Sequence, residues 1–115
     1  MSLNTVDVQL DRTRQLLFRI QDLRDLCRRL GGLTMIQLLE RLAAMDLDTI
    51  MVALQMGLRH EDKRLTPDRV GELVQQHIDR GGTMADILNA LNEAIEASGV
   101  IRRRTEDGQP GESGT

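Results

Sequence analysis

Val6, Val8 and Leu10 alternate with polar residues, and so do Leu16, Phe18 and Ile20. A period of two is the mark of a strand with one face covered. Residues 5–20 therefore predict a short β-hairpin with Asp11-Arg12-Thr13-Arg14 as its turn, although no Asn-Gly marks that turn. A lone hairpin is marginal in water, so this one must lie on the elements that follow. From about Gln21 the period lengthens to 3.6. Leu23, Leu26, Cys27 and Leu30 fall on one helical face. Gly31-Gly32 ends that helix by supplying positive φ. Thr34 is then an N-cap with Gln37 as its capping-box partner, opening a helix that carries Met35, Leu38, Leu39 and Leu42.

Asp46 and Asp48 compete to cap a third helix, which runs to about Arg59 with Ile50, Met51, Leu54 and Leu58 on its apolar side. The unbroken run Met51-Val52-Ala53-Leu54 makes this helix apolar on more than one side and the candidate centre of the fold. His60-Glu61-Asp62-Lys63-Arg64 follows as a loop. Thr66-Pro67 opens the fourth helix, Thr as cap and Pro at the position whose amide has no partner anyway. Val70, Leu73, Val74, His77 and Ile78 form its inner stripe, and Gly81-Gly82 stops it. Thr83 caps a fifth helix with Asp86 in its first turn; Met84, Ile87, Leu88, Leu91, Ala94 and Ile95 line its face, and Gly99 ends it. The predicted fold is mainly α: about five helices in a small bundle with an N-terminal hairpin, over residues 1–101. Residues 102–115 are polar, with no apolar residue for docking, and predict a flexible tail.

Composition narrows the picture. With 115 residues the chain holds one modest core, and with Phe18 its only aromatic residue that core is built from Leu, Ile, Val, Met and Ala. A net charge of -3 argues against nucleic-acid binding through a broad basic surface. Of the 15 basic residues all but Lys63 are Arg, a bias that a high-GC genome produces by itself. No apolar run approaches the ~20 residues of a membrane span. The N-terminus lacks the charged and apolar regions of a signal peptide, so a cytosolic location is expected. Cys27, alone in the sequence, reads as a buried structural thiol.

Nothing in the sequence assembles a catalytic signature: there is no GxSxG, P-loop or GxGxxG, and Cys27 lies in no thiol-enzyme motif. No catalytic, cofactor-binding or metal-binding residue is assigned. His60-Glu61-Asp62 with His77 and Asp79 would be the conceivable oxygen/nitrogen metal set, but the spacing matches no ligand pattern. His60 then reads as a loop residue and His77 as a half-covered helix residue. Most methionines read as core filling. Arg102-Arg103-Arg104, followed at once by Glu106 and Asp107, reads as cations at a helix C-terminus. Gly57 and Gly71 stand inside helical segments, where Gly costs ~1 kcal/mol against Ala. Close helix approach is expected there, or, for Gly57, the start of the helix exit.

Several segments together resemble the tail assembly chaperones of long-tailed bacteriophages, with their prophage and gene-transfer-agent relatives. The main stretch is Ile50-Met51-Val52-Ala53-Leu54-Gln55-Met56-Gly57-Leu58-Arg59-His60-Glu61-Asp62, then Leu65-Thr66-Pro67 and Val70-Gly71-Glu72-Leu73-Val74. It is similar to that family's apolar helix ending in Gly-Leu, its His-Glu-Asp loop and its Thr-capped helix with Val-Gly. Upstream, Leu16-Leu17-Phe18-Arg19-Ile20 and Leu26-Cys27-Arg28-Arg29-Leu30-Gly31 resemble its strand and following helix, departing at Cys27 or Arg28, where the family carries an acidic residue. The resemblance spans about residues 6–98.

That resemblance implies a non-enzymatic protein of the host cytoplasm, absent from the mature virion. It would bind the tape-measure protein and keep it soluble while tail-tube subunits assemble around it. Self-association and contact with the tail-tube protein are also expected, with no nucleic acid and no membrane involved. The expected partner face is the second helix, through Met35, Leu38, Leu39, Leu42 and Met45, widened by Ile36 and Ala43; the competing reading makes all of these core. The rival function is a small helical regulatory or adaptor protein, DNA-linked in one version. That version needs outward basic residues on a recognition helix, and the fourth helix offers only Arg69 and Arg80 beside Asp68, Glu72 and Asp79.

Overall fold

A computed structural model describes residues 4–101. The expected tail, residues 102–115 with the Arg102–Arg104 cluster, lies outside the described residues. The fold is mainly α, with strands β1 (Val6–Gln9) and β2 (Thr13–Leu16) followed by helices α1 (Ile20–Arg29), α2 (Met35–Ala43), α3 (Leu47–Leu58), α4 (Pro67–Asp79) and α5 (Met84–Ala97). The strands pair antiparallel with Val6 opposite Leu16 and Val8 opposite Arg14. Val8, Leu10, Leu16 and Phe18 point into the core, as the alternation requires.

Two details depart from the expected hairpin. The turn is tighter than residues 11–14, because Thr13 already belongs to β2. Its geometry comes from the Asp11 carboxylate, which accepts from the Arg12 amide (2.9 Å) and from Arg14 Nε and Nη2 (2.8 and 3.0 Å). Ile20 does not extend the inward row; it opens α1 and is 56% exposed. The extended stretch ends because the Asp22 carboxylate accepts from the Arg19 amide at 2.9 Å and starts the helix there.

Helix boundaries follow local chemistry. Thr34, Thr66 and Thr83 cap α2, α4 and α5, each accepting from the amide three residues on. Of the two candidates for α3, Asp46 holds the cap position and accepts from the Thr49 hydroxyl at 3.0 Å. α3 is the centre: it packs against each of the other four helices and against β2. Ile50, Ala53, Leu54, Met56, Gly57 and Leu58, on several sides of it, are all buried. α5 covers β1, so the hairpin lies on the bundle as its marginal stability demands.

Candidate functional site

The residues that carry the resemblance form a clasp between α3 and the hairpin. Gly57 has room only for hydrogen: a Cβ there would stand 2.8 Å from Leu16 Cδ2 and 2.9 Å from Phe18 Cζ. That close approach lets the Gly57 carbonyl accept from the Leu17 amide at 2.9 Å. Leu58 is buried beneath it. His60 Nε2 lies 2.7 Å from the Gln15 carbonyl, which can only accept, so Nε2 is the donor. Glu61 Oε2 accepts from the Gln15 amide at 3.3 Å. The edge of β2 that β1 leaves open is thus met by the end of α3 and its loop, which removes an unpaired strand edge. Asp62 accepts from the Arg64 amide, Leu65 is buried with its carbonyl accepting from Gln55 Nε2, Thr66 caps α4, and Val70 is core. Gly71 is different. The nearest neighbour of a Cβ added there would be Met51 Sδ at 4.0 Å, so the close approach expected at this position does not exist.

Behind the clasp lies an ionic cluster. Arg59 Nη2 bridges Asp22 (2.6 Å) and Asp25 (2.9 Å), and Arg19 Nε also meets Asp22 at 3.1 Å. Burial pushes the Asp22 carboxyl upward, but the Arg19 amide and the two guanidinium groups outweigh it and hold it below the ordinary aspartate value. Arg59, then Gln21, lower Asp25. Arg19, Gln21, Asp22 and Arg59 face a cleft of about 640 Å³ with His60 and Lys63 at its side. Most of its polar atoms are spent on one another, so the cleft ties α1 to α3.

The histidines are far apart in role. His60 serves the hairpin, whereas His77 Nε2 meets Asp86 Oδ2 at 3.0 Å between α4 and α5. Among the described residues no group of three or more His, Cys, Asp or Glu is placed to hold a metal ion. Cys27 is buried, and that burial raises its thiol pKa. Among the described residues no helix is long and apolar enough to cross a membrane.

The expected partner face divides. Leu38 and Leu42 are at 0% exposure and belong to the core, so they cannot be a surface of the folded protein. Their burial reflects α2 packing on α3. Met35 and Leu39 are half-buried, and Met45 is 39% exposed. The exposed side of α2 carries Ile36, at 69%, with Leu39 and Ala43 along the same edge. Leu39 and Ala43 also line a groove of about 300 Å³ shared with Asn92 of α5 and with Ile101. A second groove, of about 330 Å³, runs between α1 and the α1–α2 turn, with Arg24 and Arg28 beside it. Sequence periodicity missed this groove and the exposed Ile20 and Leu47, because an apolar stripe does not tell which of its members a neighbouring helix will cover.

The described residues define a class by architecture: a bundle of five helices with a two-stranded hairpin clasped to its central helix. Comparison with protein-family models, curated proteins and solved structures returns no match.

Proposed function

We propose that this protein is a phage tail assembly chaperone, a non-enzymatic binder of the tape-measure protein. The carrying observation is the apolar edge of α2, on which Ile36 and Ala43 are exposed and Leu39 is half-buried, on a chain whose 50–74 stretch resembles that family. These three residues are spaced i, i+3, i+7, so they form one stripe along the helix. With the neighbouring α2–α5 groove they offer a shallow apolar track to an amphipathic helix. A tape-measure chain, long and largely helical, exposes such stripes until the tube closes around it, and coverage by many small copies keeps it soluble. Tail-tube subunits would displace those copies, so the chaperone works in the host cytoplasm and leaves before the virion is complete. Binding along one chain in many copies also calls for self-association through a second surface.

The test starts from the neighbouring genes, one of which is expected to encode a very long tape-measure protein, and co-expresses that protein with this chain. A rise in that protein's soluble yield and a co-purifying complex are expected. Ile36→Glu and Ala43→Glu, both at exposed positions, should each abolish the complex while leaving helicity and the cooperative melt intact. Absence of a complex at both low and physiological salt overturns the assignment.

A further inference from the structure

Four helices end on a residue at positive φ. At α1, α4 and α5 it is Gly31, Gly81 and Gly99; at α2 it is Met45, φ 60°, the one non-glycine in that region among the described residues. The closure of α2 is otherwise that of α1 and α4. The Met45 amide donates to the Leu42 carbonyl at 3.0 Å, and the Asp46 amide to the Arg41 carbonyl at 3.1 Å. A side chain at this position is strained where Gly would not be. This one is also apolar and exposed, and two residues on Leu47 is 54% exposed. Strain and bared apolar surface both cost the monomer stability, and backbone outliers of this kind cluster at functional sites. Met45 and Leu47 form an apolar knob. Asp48, exposed and next in sequence to Leu47, is in no ion pair among the described residues.

The groove at α1 has the opposite character. Leu23, Cys27, Leu33, Met35 and Val100 line it, with the exposed Ile20 at its margin. Arg24 and Arg28, one helical turn apart and both exposed, flank it and are likewise in no ion pair among the described residues. Met35, at the first position of α2, lines the groove, and Met45 lies beyond its last. Nine residues of helix span ~14 Å, so a chain cannot seat its own Met45 in its own groove. The sequence from residue 102 onward has no Leu, Ile, Val, Met or aromatic residue to fill it either.

We infer that the Met45–Leu47 knob of one copy seats in the α1 groove of a second copy, with Asp48 beside the knob meeting Arg24 and Arg28. The inference rests on the self-association proposed above and gives it a surface. Because knob and groove are different surfaces, the contact is head-to-tail: it builds a ring where its rotation closes and a row where it does not. A row is also the arrangement that coverage of a long chain requires.

Sedimentation equilibrium of the full chain tests this, between ~10 μM and ~1 mM, where so small an interface associates. The weight-average mass should climb above the 12.9 kDa of one chain. Two knob variants, Met45→Gly and Leu47→Glu, should each weaken association by roughly tenfold or more. Met45→Gly should at the same time raise the melting temperature, which a merely structural defect would not do. Arg24→Glu with Arg28→Glu should abolish association from the groove side. Mixing the Leu47→Glu chain with that double variant should restore a species that stops at two copies, since one intact knob meets one intact groove. A wild-type mass that stays at one chain, or association that survives both kinds of variant, overturns the inference. So does a groove variant that still self-associates but no longer binds the tape-measure protein, which would give the groove to that partner. The co-expression test of the chaperone reading scores soluble yield and α2-edge variants, so the two can fail separately.

Discussion

Replacing Gly57 by Ala sets helix propensity against packing, and the structure decides which wins. Ala is favoured over Gly by up to ~1 kcal/mol inside a helix. Gly57 is the penultimate residue of α3, so the gain there falls short of the full value. The added methyl would stand 2.8 Å from Leu16 Cδ2 and 2.9 Å from Phe18 Cζ. Both atoms are the far ends of side chains, but both side chains are buried and have nowhere to swing. Overpacking of this kind costs about 1–3 kcal/mol. The shift would also stretch the bond from the Leu17 amide to the Gly57 carbonyl, now 2.9 Å. A net loss of about 1 kcal/mol follows, or roughly 4–8 °C in melting temperature for a domain of this size. Gly71→Ala is the control within the same molecule. Its nearest new neighbour is Met51 Sδ at 4.0 Å, so propensity acts unopposed and stability should rise by about 0.5–1 kcal/mol. Paired thermal melts and urea titrations measure both. A Gly57→Ala protein as stable as the parent would refute the close approach of α3 to the hairpin.

The same reasoning extends to three further sites. Leu42→Glu should unfold the domain, by circular dichroism, because it places a charge at a fully buried position without a partner. His60→Ala removes the donor to the Gln15 carbonyl and should cost about 1 kcal/mol; hydrogen exchange at the Leu17 amide should quicken more than in α4 if the clasp loosens locally. The Arg14 guanidinium, by hydrogen bond first and by charge as well, lowers the Asp11 carboxyl to about 2. A depressed folded pKa stabilises above the unfolded value of about 3.9 and loses that contribution as pH falls towards the folded one. Stability should therefore drop between about pH 4 and pH 2, and Asp11→Asn should flatten that part of the profile; an unchanged slope would mean that the pair contributes nothing.

Much of the architecture was written in local pattern. Periods of 2 and 3.6 located the hairpin and all five described helices, though not the bounds of β2, because side-chain direction follows backbone geometry at those repeats. The Thr caps and the Gly-Gly stops set boundaries for the equally local reason that orphan amides and positive φ need particular residues. The central place of α3 was also legible, since a run such as Met51-Val52-Ala53-Leu54 leaves no polar side to face water. Tertiary structure decided the rest. Ile36, Leu38, Leu39 and Leu42 read as one apolar band, yet α3 covers Leu38 and Leu42 and leaves Ile36 in water. Gly57 and Gly71 look alike along the chain, but only Gly57 has the hairpin pressed on it. His60 and Glu61 look like ordinary loop residues until the fold brings Gln15, 45 positions away from His60, against them. Periodicity reports which side of an element is apolar; which part of that side is covered depends on the angle and distance at which another element arrives, and contacts between distant residues set those.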